Sequence, residues 1–338
     1  MSTNIGIYTK RVECLTYTIT QAIASTGNSV YVVTNPKELN QEFYYARIEQ
    51  IKNVKISNKL EEINFDDLYI ENLPSLSRDE FLRCAKISPR ISIIAYSHSF
   101  SYTKTLLQEI KHLIKYFPGI LKVKQIFFID DYYNLDIFNL WSKKYFLGFD
   151  VHSNFWVNQD LKNALFDFNW ETEKRRIYKL NFIGNRSPAF RKQIIESVKT
   201  YLKNSLCEEP ILWIEYGDEP GEKRGVSPRE YMNYLSESDF TLCPPGYAKI
   251  THRVIEALVR GSIPILHKEE LRLYDMNLED NLNCIAVHNR DWIGAIKRAM
   301  SLNQSEIRQM RYSILSMKDD YLAAESFSRR LITKMGIN

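Results

Sequence analysis

Short β-branched and apolar runs recur along this chain, each parted from the next by a helical pattern or a polar turn. In the first half they are 4–8 (NIGIY), 29–34 (SVYVVT), 67–70 (DLYI), 91–96 (ISIIAY) and 125–129 (QIFFI). Helical patterns fill 12–26, stopped by Gly27-Asn28, then 79–86 behind a Ser77 cap, and about 102–116 before Pro118-Gly119. Strands without polar alternation are buried on both faces, and strands that alternate with helices form a parallel sheet covered on each side.

The pattern restarts in the second half. Strands are expected at 179–184 (KLNFIG), 211–216 (ILWIEY), 239–243 (DFTLC), 262–266 (SIPIL) and 284–287 (CIAV). Helices are expected at 191–203, at 228–236 behind Ser227-Pro228, at 251–260 before Gly261, and at two or more places in 291–335. The polar stretch 150–176, ending in the run ETEKRR, reads as an interdomain segment. At about 100–200 residues per domain, 338 residues fit two. The expected organisation is α/β: two tandem Rossmann-like domains facing across a cleft, at 1–165 and 175–310, with a helical segment at 311–338. In such sheets ligands bind beyond the carboxyl ends of the strands.

Composition narrows the function classes. The net charge of +4 favours anionic ligands, and no basic stripe with interleaved aromatics marks a nucleic-acid binder. The five cysteines are scattered with no CxxC pair, which argues against a zinc or redox centre. No apolar run approaches the roughly 20 residues of a membrane span, and the amino terminus lacks the pattern of a signal peptide. A cytoplasmic protein is expected, with peripheral contact at the inner face of a membrane.

The stretch richest in chemistry is 239–266. Its strand ends in Cys243-Pro244-Pro245-Gly246, where the prolines stop the ladder and the glycine allows a turn. A helix follows from about Thr251, a residue type suited to the cap. Arg253 and Glu256 then share one face near the positive helix end. Backbone N–H groups and an arginine fork there suit a diphosphate, and a carboxylate one turn later suits two ribose hydroxyls. The same spacing also suits a plain surface ion pair.

These blocks resemble the carboxyl-terminal signature of the exostosin-like glycosyltransferases, family 47. The matching residues are Leu242-Cys243-Pro244-Pro245-Gly246-Tyr247, Thr251-His252-Arg253, Glu256-Ala257 and Gly261-Ser262-Ile263-Pro264-Ile265. Upstream, Phe182-Ile183-Gly184-Asn185 with the later Arg191 matches a second block, so the resemblance covers about 180–290. It implies a GT-B fold and a nucleotide-diphosphate sugar donor on the second domain. Arg253 would bind the donor phosphates and Glu256 the ribose, with Gly246, Tyr247, Thr251 and His252 around them. Gly184, Asn185 and Arg186 would face the diphosphate, and Arg186 reads equally well as a solvated loop residue. A departure follows the Gly261–Ile265 block: the chain continues His267-Lys268-Glu269-Glu270, an acidic pair shifted from the family's position.

The implied reaction inverts the anomeric centre, in bacterial surface polysaccharide assembly, on a glycan or lipid-linked oligosaccharide acceptor. A carboxylate or histidine must then deprotonate the acceptor hydroxyl. The candidates are His98, Asp131, Asp130 and Asp150, with Glu71 after the strand 67–70 and His152 beside Asp150. Lys10 after the first strand reads as a solvated lysine or a contact for an anionic acceptor. No metal site and no divalent cofactor are expected. Two rivals remain open. A metal-dependent GT-A enzyme would need an acidic D-x-D, which only Asp130-Asp131 and Asp150-Val151-His152 approximate. The other is a protein that binds a nucleotide or sugar without turnover.

Overall fold

Seven parallel strands make the first sheet: β1 (Asn4–Tyr8), β2 (Ser29–Val33), β3 (Val54–Ser57), β4 (Asp67–Glu71), β5 (Arg90–Ala95), β6 (Val123–Phe128) and β7 (Lys143–Phe146). Their order in the computed structural model is β3-β2-β1-β4-β5-β6-β7. The structure describes residues 3–10, 14–34, 42–60, 63–71, 73, 76–95, 114–128, 142–148, 151, 155–156, 158–205, 208–216, 225–246 and 249–337. Helices α1 (Cys14–Ala24), α2 (Glu42–Glu49) and α3 (Arg78–Ile87) belong to this sheet's unit. Ser77 opens α3 in a capping box with Glu80, as its sequence suggests. The central strands are the expected apolar runs. The two edge strands, β3 and β7, were not foreseen: they are four residues long and carry lysines (VKIS, KKYF), which blunt a sheet edge and erase the apolar signal.

The second sheet has five parallel strands: β8 (Tyr178–Asn185), β9 (Ile211–Tyr216), β10 (Ser238–Leu242), β11 (Ile263–His267) and β12 (Ile285–Val287). They lie in the order β12-β11-β10-β8-β9. Around them stand α4 (Gln159–Leu165), α5 (Ala189–Asn204), α6 (Pro228–Ser236), α7 (His252–Val259), α8 (Trp292–Ser301) and α9 (Gln304–Ser316), while α10 (Ala324–Met335) belongs from Phe327 onward to the first unit. The chain forms two units, Met1–Leu147 with Phe327–Asn338, and Gly148–Ser326. No helix among the described residues is long and apolar enough to cross a membrane.

The stretch expected to link the domains instead builds the second unit. Trp170 donates its indole N–H to the Val259 carbonyl at 2.9 Å. Arg176 is buried and donates to the carbonyls of Leu235 (3.1 Å), Ser238 (2.8 Å) and Arg260 (3.2 Å). Gly261, at φ +66°, leaves room for both: a side chain there would meet the Arg176 guanidinium and the Trp170 ring. Beside them Asp239 of β10 pairs with Arg311 of α9, with both side chains almost wholly inside. Of the charged run only Arg176 turns inward, onto backbone carbonyls, while Glu171, Glu173, Lys174 and Arg175 stay exposed.

Candidate functional site

In the second sheet, β8 lies between β9 and β10, so the chain winds one way from β8 to β9 and the other way from β8 to β10. This is a topological switch point, where the loops beyond the strand ends diverge and leave a crevice. Gly184 and Asn185 end β8, and Cys243-Pro244-Pro245-Gly246 follow β10. The two sequence blocks that matter most, sixty residues apart, therefore meet at one place.

Arg253 enters it from the first turn of α7. Its Nη2 donates to the Ile183 carbonyl at 2.7 Å, and the guanidinium lies over the Phe182 ring, 5.0 Å from the centroid. Any side chain at Gly184 would collide with Nη2, so glycine is what lets the arginine lie across β8. Its Nε and Nη1 are buried and have no hydrogen-bond acceptor among the described residues. Buried arginine donors are rarely left so, and anionic oxygens such as those of a phosphate would satisfy them.

Glu256, one turn on, is 3% exposed, so the alternative of a surface ion pair with Arg253 does not hold. It accepts a hydrogen bond from the Tyr231 hydroxyl of α6 at 2.8 Å. Burial, and next the Glu256 charge, hold the Tyr231 phenol well above its ordinary range, so it stays a donor. Phe155 stacks on Tyr231 at 6.5 Å. No sequence signal pointed to Tyr231.

Arg191 of α5 acts as a clamp. Its Nε donates to Pro245 O (2.8 Å), its Nη1 to Asn185 Oδ1 (2.8 Å) and its Nη2 to Pro244 O (3.4 Å). It thereby ties the end of β8 to the loop after β10, with Gly246 buried beside it. Arg186 points elsewhere: it is half exposed, with Nε 3.8 Å from Glu215, which also accepts from Lys199 and Trp213. Thr251 holds the cap position of α7, but its hydroxyl makes no capping bond. Its N–H instead donates to the Tyr274 hydroxyl at 2.8 Å, which supports the helix start from the turn after β11. His252 is the first helical residue and half-buried. Burial pushes the Cys243 thiol up to about 12, so it serves packing and not nucleophilic chemistry.

The shifted acidic pair falls on the 3-10 turn Lys268–Tyr274. Glu270 is 5% exposed. Burial first, and the neighbouring Glu269 next, push its carboxyl from 4.5 to about 8, against the pull of Lys249 and Arg191. Because the folded-state value is raised, the folded chain holds a proton that the unfolded chain releases. Stability is full below about pH 4.5 and falls as pH rises toward 8. Glu270→Gln is expected to stabilise the chain at pH 7 by on the order of 2 kcal/mol and to flatten its profile between pH 5 and 8. Urea titrations of both proteins across that range check this; parallel profiles would show that Glu270 is ionised when folded.

In the first sheet the winding reverses between β1 and β4. Glu71 ends β4 there, buried, and accepts from the Thr16 hydroxyl at 2.7 Å. Lys10 pairs with Glu80 at 3.1 Å. His98, Asp130, Asp131, Asp150 and His152, with Tyr247 of the second unit, lie outside the described residues. Among the described residues, no group of three or more His, Cys, Asp or Glu is placed to hold a metal ion.

Known structures share this overall fold. A protein from Anabaena, Alr3699/HepE, solved in complex with UDP, aligns over 99% of this chain and 100% of its own at a TM-score of 0.57 and 9% identity. A glycosyltransferase from Rickettsia africae ESF-5 aligns over 99% and 98% at 0.57 and 10% identity. The chain has the GT-B fold. Within this GT-B chain, residues 163–277 match the family described as the RXYLT1 C-terminal domain. A stretch of 100 residues is 32% identical to Ribitol-5-phosphate xylosyltransferase 1 of Danio rerio, covering 28% of this chain and 21% of that protein. The chain thus matches about a fifth of the length of that relative. The family match contains Gly184, Arg191, Arg253 and Glu256 but ends before β12.

Proposed function

We propose that this chain is a glycosyltransferase that moves a sugar from a nucleotide-diphosphate donor to a glycan or lipid-linked acceptor in bacterial surface polysaccharide assembly. The observation that carries the reading is Arg253, a guanidinium laid across Gly184 at a topological switch point, with two buried nitrogens that meet no acceptor among the described residues. In this reading Arg253 takes the diphosphate and Glu256, oriented by Tyr231, takes the ribose hydroxyls. Gly246, Tyr247, Thr251 and His252 surround them, Gly184 and Asn185 stand beside the phosphates, and Arg186 would have to turn from Glu215 to join them. Transfer inverts the anomeric centre without a divalent metal. The acceptor proton goes to a carboxylate or histidine base, with His98 first and Asp131, Asp130 and Asp150 after it. The names of the relatives support this class, and the zebrafish protein directs attention to a xylosyl donor and a ribitol phosphate acceptor.

The test is a thermal-shift and ligand-observed NMR screen against UDP-, GDP-, CMP- and dTDP-sugars, UDP-xylose included, followed by transfer assays in excess EDTA. A ligand that binds only the folded state raises stability by RT ln(1 + [L]/Kd). One donor should stabilise the chain, and turnover should persist in EDTA. Turnover lost in EDTA and restored by manganese would favour the metal-dependent rival. Donor binding with no transfer to any acceptor would favour a non-catalytic binder.

A further inference from the structure

Six large hydrophobic side chains are exposed among the described residues, and three of them fall within eight positions of the first unit: Ile114 (70%), Phe117 (55%) and Leu121 (51%). Isolated exposed apolar residues are ordinary, but a cluster of this kind marks an interaction surface. These three sit on consecutive turns. Phe117 N–H bonds to Ile114 O, and Leu121 N–H bonds to Pro118 O, at the start of the 3-10 turn Gly119–Lys122.

The segment is held firmly from beneath. Tyr116, between the exposed residues, is buried with its hydroxyl 2.9 and 3.0 Å from the carbonyl oxygens of Leu73 and Leu76, and it meets Phe81 edge-on at 5.0 Å. Gly119 sits so close to Phe81, Leu82 and Ala85 of α3 that a side chain would press into all three. Ile120 and Val123 are buried too. The apolar trio is therefore presented outward by a fixed platform, because its neighbours have taken the inward positions.

The surrounding charge has one sign. Among the described residues 114–128 the charged side chains are Lys115, Lys122 and Lys124, with no acidic one. The Lys115 ammonium donates to the Leu76 carbonyl (2.8 Å) and that of Lys122 to the Ala85 carbonyl (2.5 Å), which fixes two cations beside the trio without neutralising them. Lys86 and Lys124 are exposed. None of Lys86, Lys115, Lys122 and Lys124 pairs with a carboxylate among the described residues. The acidic Asp79 and Glu80 lie in the first turn of α3, and Glu80 is taken by Lys10.

We infer that this face docks on an anionic bilayer surface, with Ile114, Phe117 and Leu121 entering the headgroup region and the lysines meeting lipid phosphates. Apolar side chains framed by unpaired lysines fit a surface that is apolar within and negative outside. A protein partner or a second copy would have to offer both features together. The inference deepens the membrane contact expected from the sequence and does not depend on the transfer reaction.

The experiment is co-sedimentation of the full chain with vesicles of phosphatidylcholine alone or of an equimolar mixture with phosphatidylglycerol. The chain should bind the mixed vesicles and not the neutral ones, and release in high salt. Phe117→Ser with Leu121→Ser should weaken that binding by about tenfold or more, with an unchanged melting temperature because both side chains are exposed. Lys86→Gln with Lys124→Gln should weaken it several-fold and lessen its salt dependence. Equal sedimentation of wild type and the serine variant would overturn the assignment, as would indifference to lipid charge. So would a wild-type dimer in sedimentation velocity that the serine variant loses, since the face would then join two copies.

Discussion

Asp239→Ala is expected to destabilise the second unit by about 3–5 kcal/mol. Asp239 sits on β10 at 2% exposure and pairs with Arg311, which is wholly buried. Arg311 also reaches the carbonyls of Lys174 (3.2 Å) and Thr172 (3.5 Å), and Arg176 lies alongside on the carbonyls of Leu235 and Ser238. Burial, and next the charge of Arg311, depress Arg176 well below its ordinary value, while Asp239 pulls it back up. One carboxylate thus serves two buried guanidinium groups. Alanine would leave both charges in a dry interior without a counter-charge, a loss comparable to the whole stability of many domains, about 5–15 kcal/mol. Urea unfolding followed by far-UV circular dichroism reads it. A loss below about 1 kcal/mol would show that water or the backbone carbonyls suffice to solvate the arginines. Asp239→Asn should fall between, since it keeps the shape and one acceptor but not the charge.

Arg253→Ala is expected to weaken binding of the donor found in the nucleotide-sugar screen by about 10–100-fold, the loss of a charge-assisted phosphate contact worth roughly 1.5–3 kcal/mol. The fold should survive, because among the described residues Arg253 gives one hydrogen bond, at Ile183 O, and its Nε and Nη1 give none. Arg253→Lys should restore little, since an ammonium lacks the planar fork and the stacking on Phe182. Gly184→Ala supplies the independent arm: its methyl meets Nη2 and pushes the guanidinium from its place, so donor affinity should fall without any change in charge. Titration calorimetry on the three variants, with melting temperatures alongside, makes the comparison. Wild-type affinity in Arg253→Ala would remove this residue from the donor site.

Much of the architecture was legible. The strands β1, β2, β4, β5 and β11 are short, mainly apolar runs, the signal of a strand covered on both faces, and β8 and β10 show it in part, with buried polar residues between the apolar ones. Caps such as Ser77-x-x-Glu80 and Ser227-Pro228-x-Glu230 are local, and both form as boxes. Edge strands β3 and β7 escaped because half-solvated, lysine-bearing strands have no apolar period to read. The segment around Trp170 and Arg176 escaped because charge predicts exposure only while water is the best solvent on offer.

By itself, the sequence determined the class of element at most positions, two β-α repeats, and the motif residues Gly184, Arg191, Arg253 and Glu256. Each rests on interactions among near neighbours: periodicity, capping and turn chemistry. Only the tertiary structure decided that β8 lies between β9 and β10, and so that Gly184 and Arg253 meet. It alone joined Tyr231 to Glu256, spent Arg191 on Pro244 and Pro245, and buried Glu270. These contacts join residues up to 70 positions apart. No local propensity encodes them, because strand order and burial follow from how the whole chain hides its apolar surface.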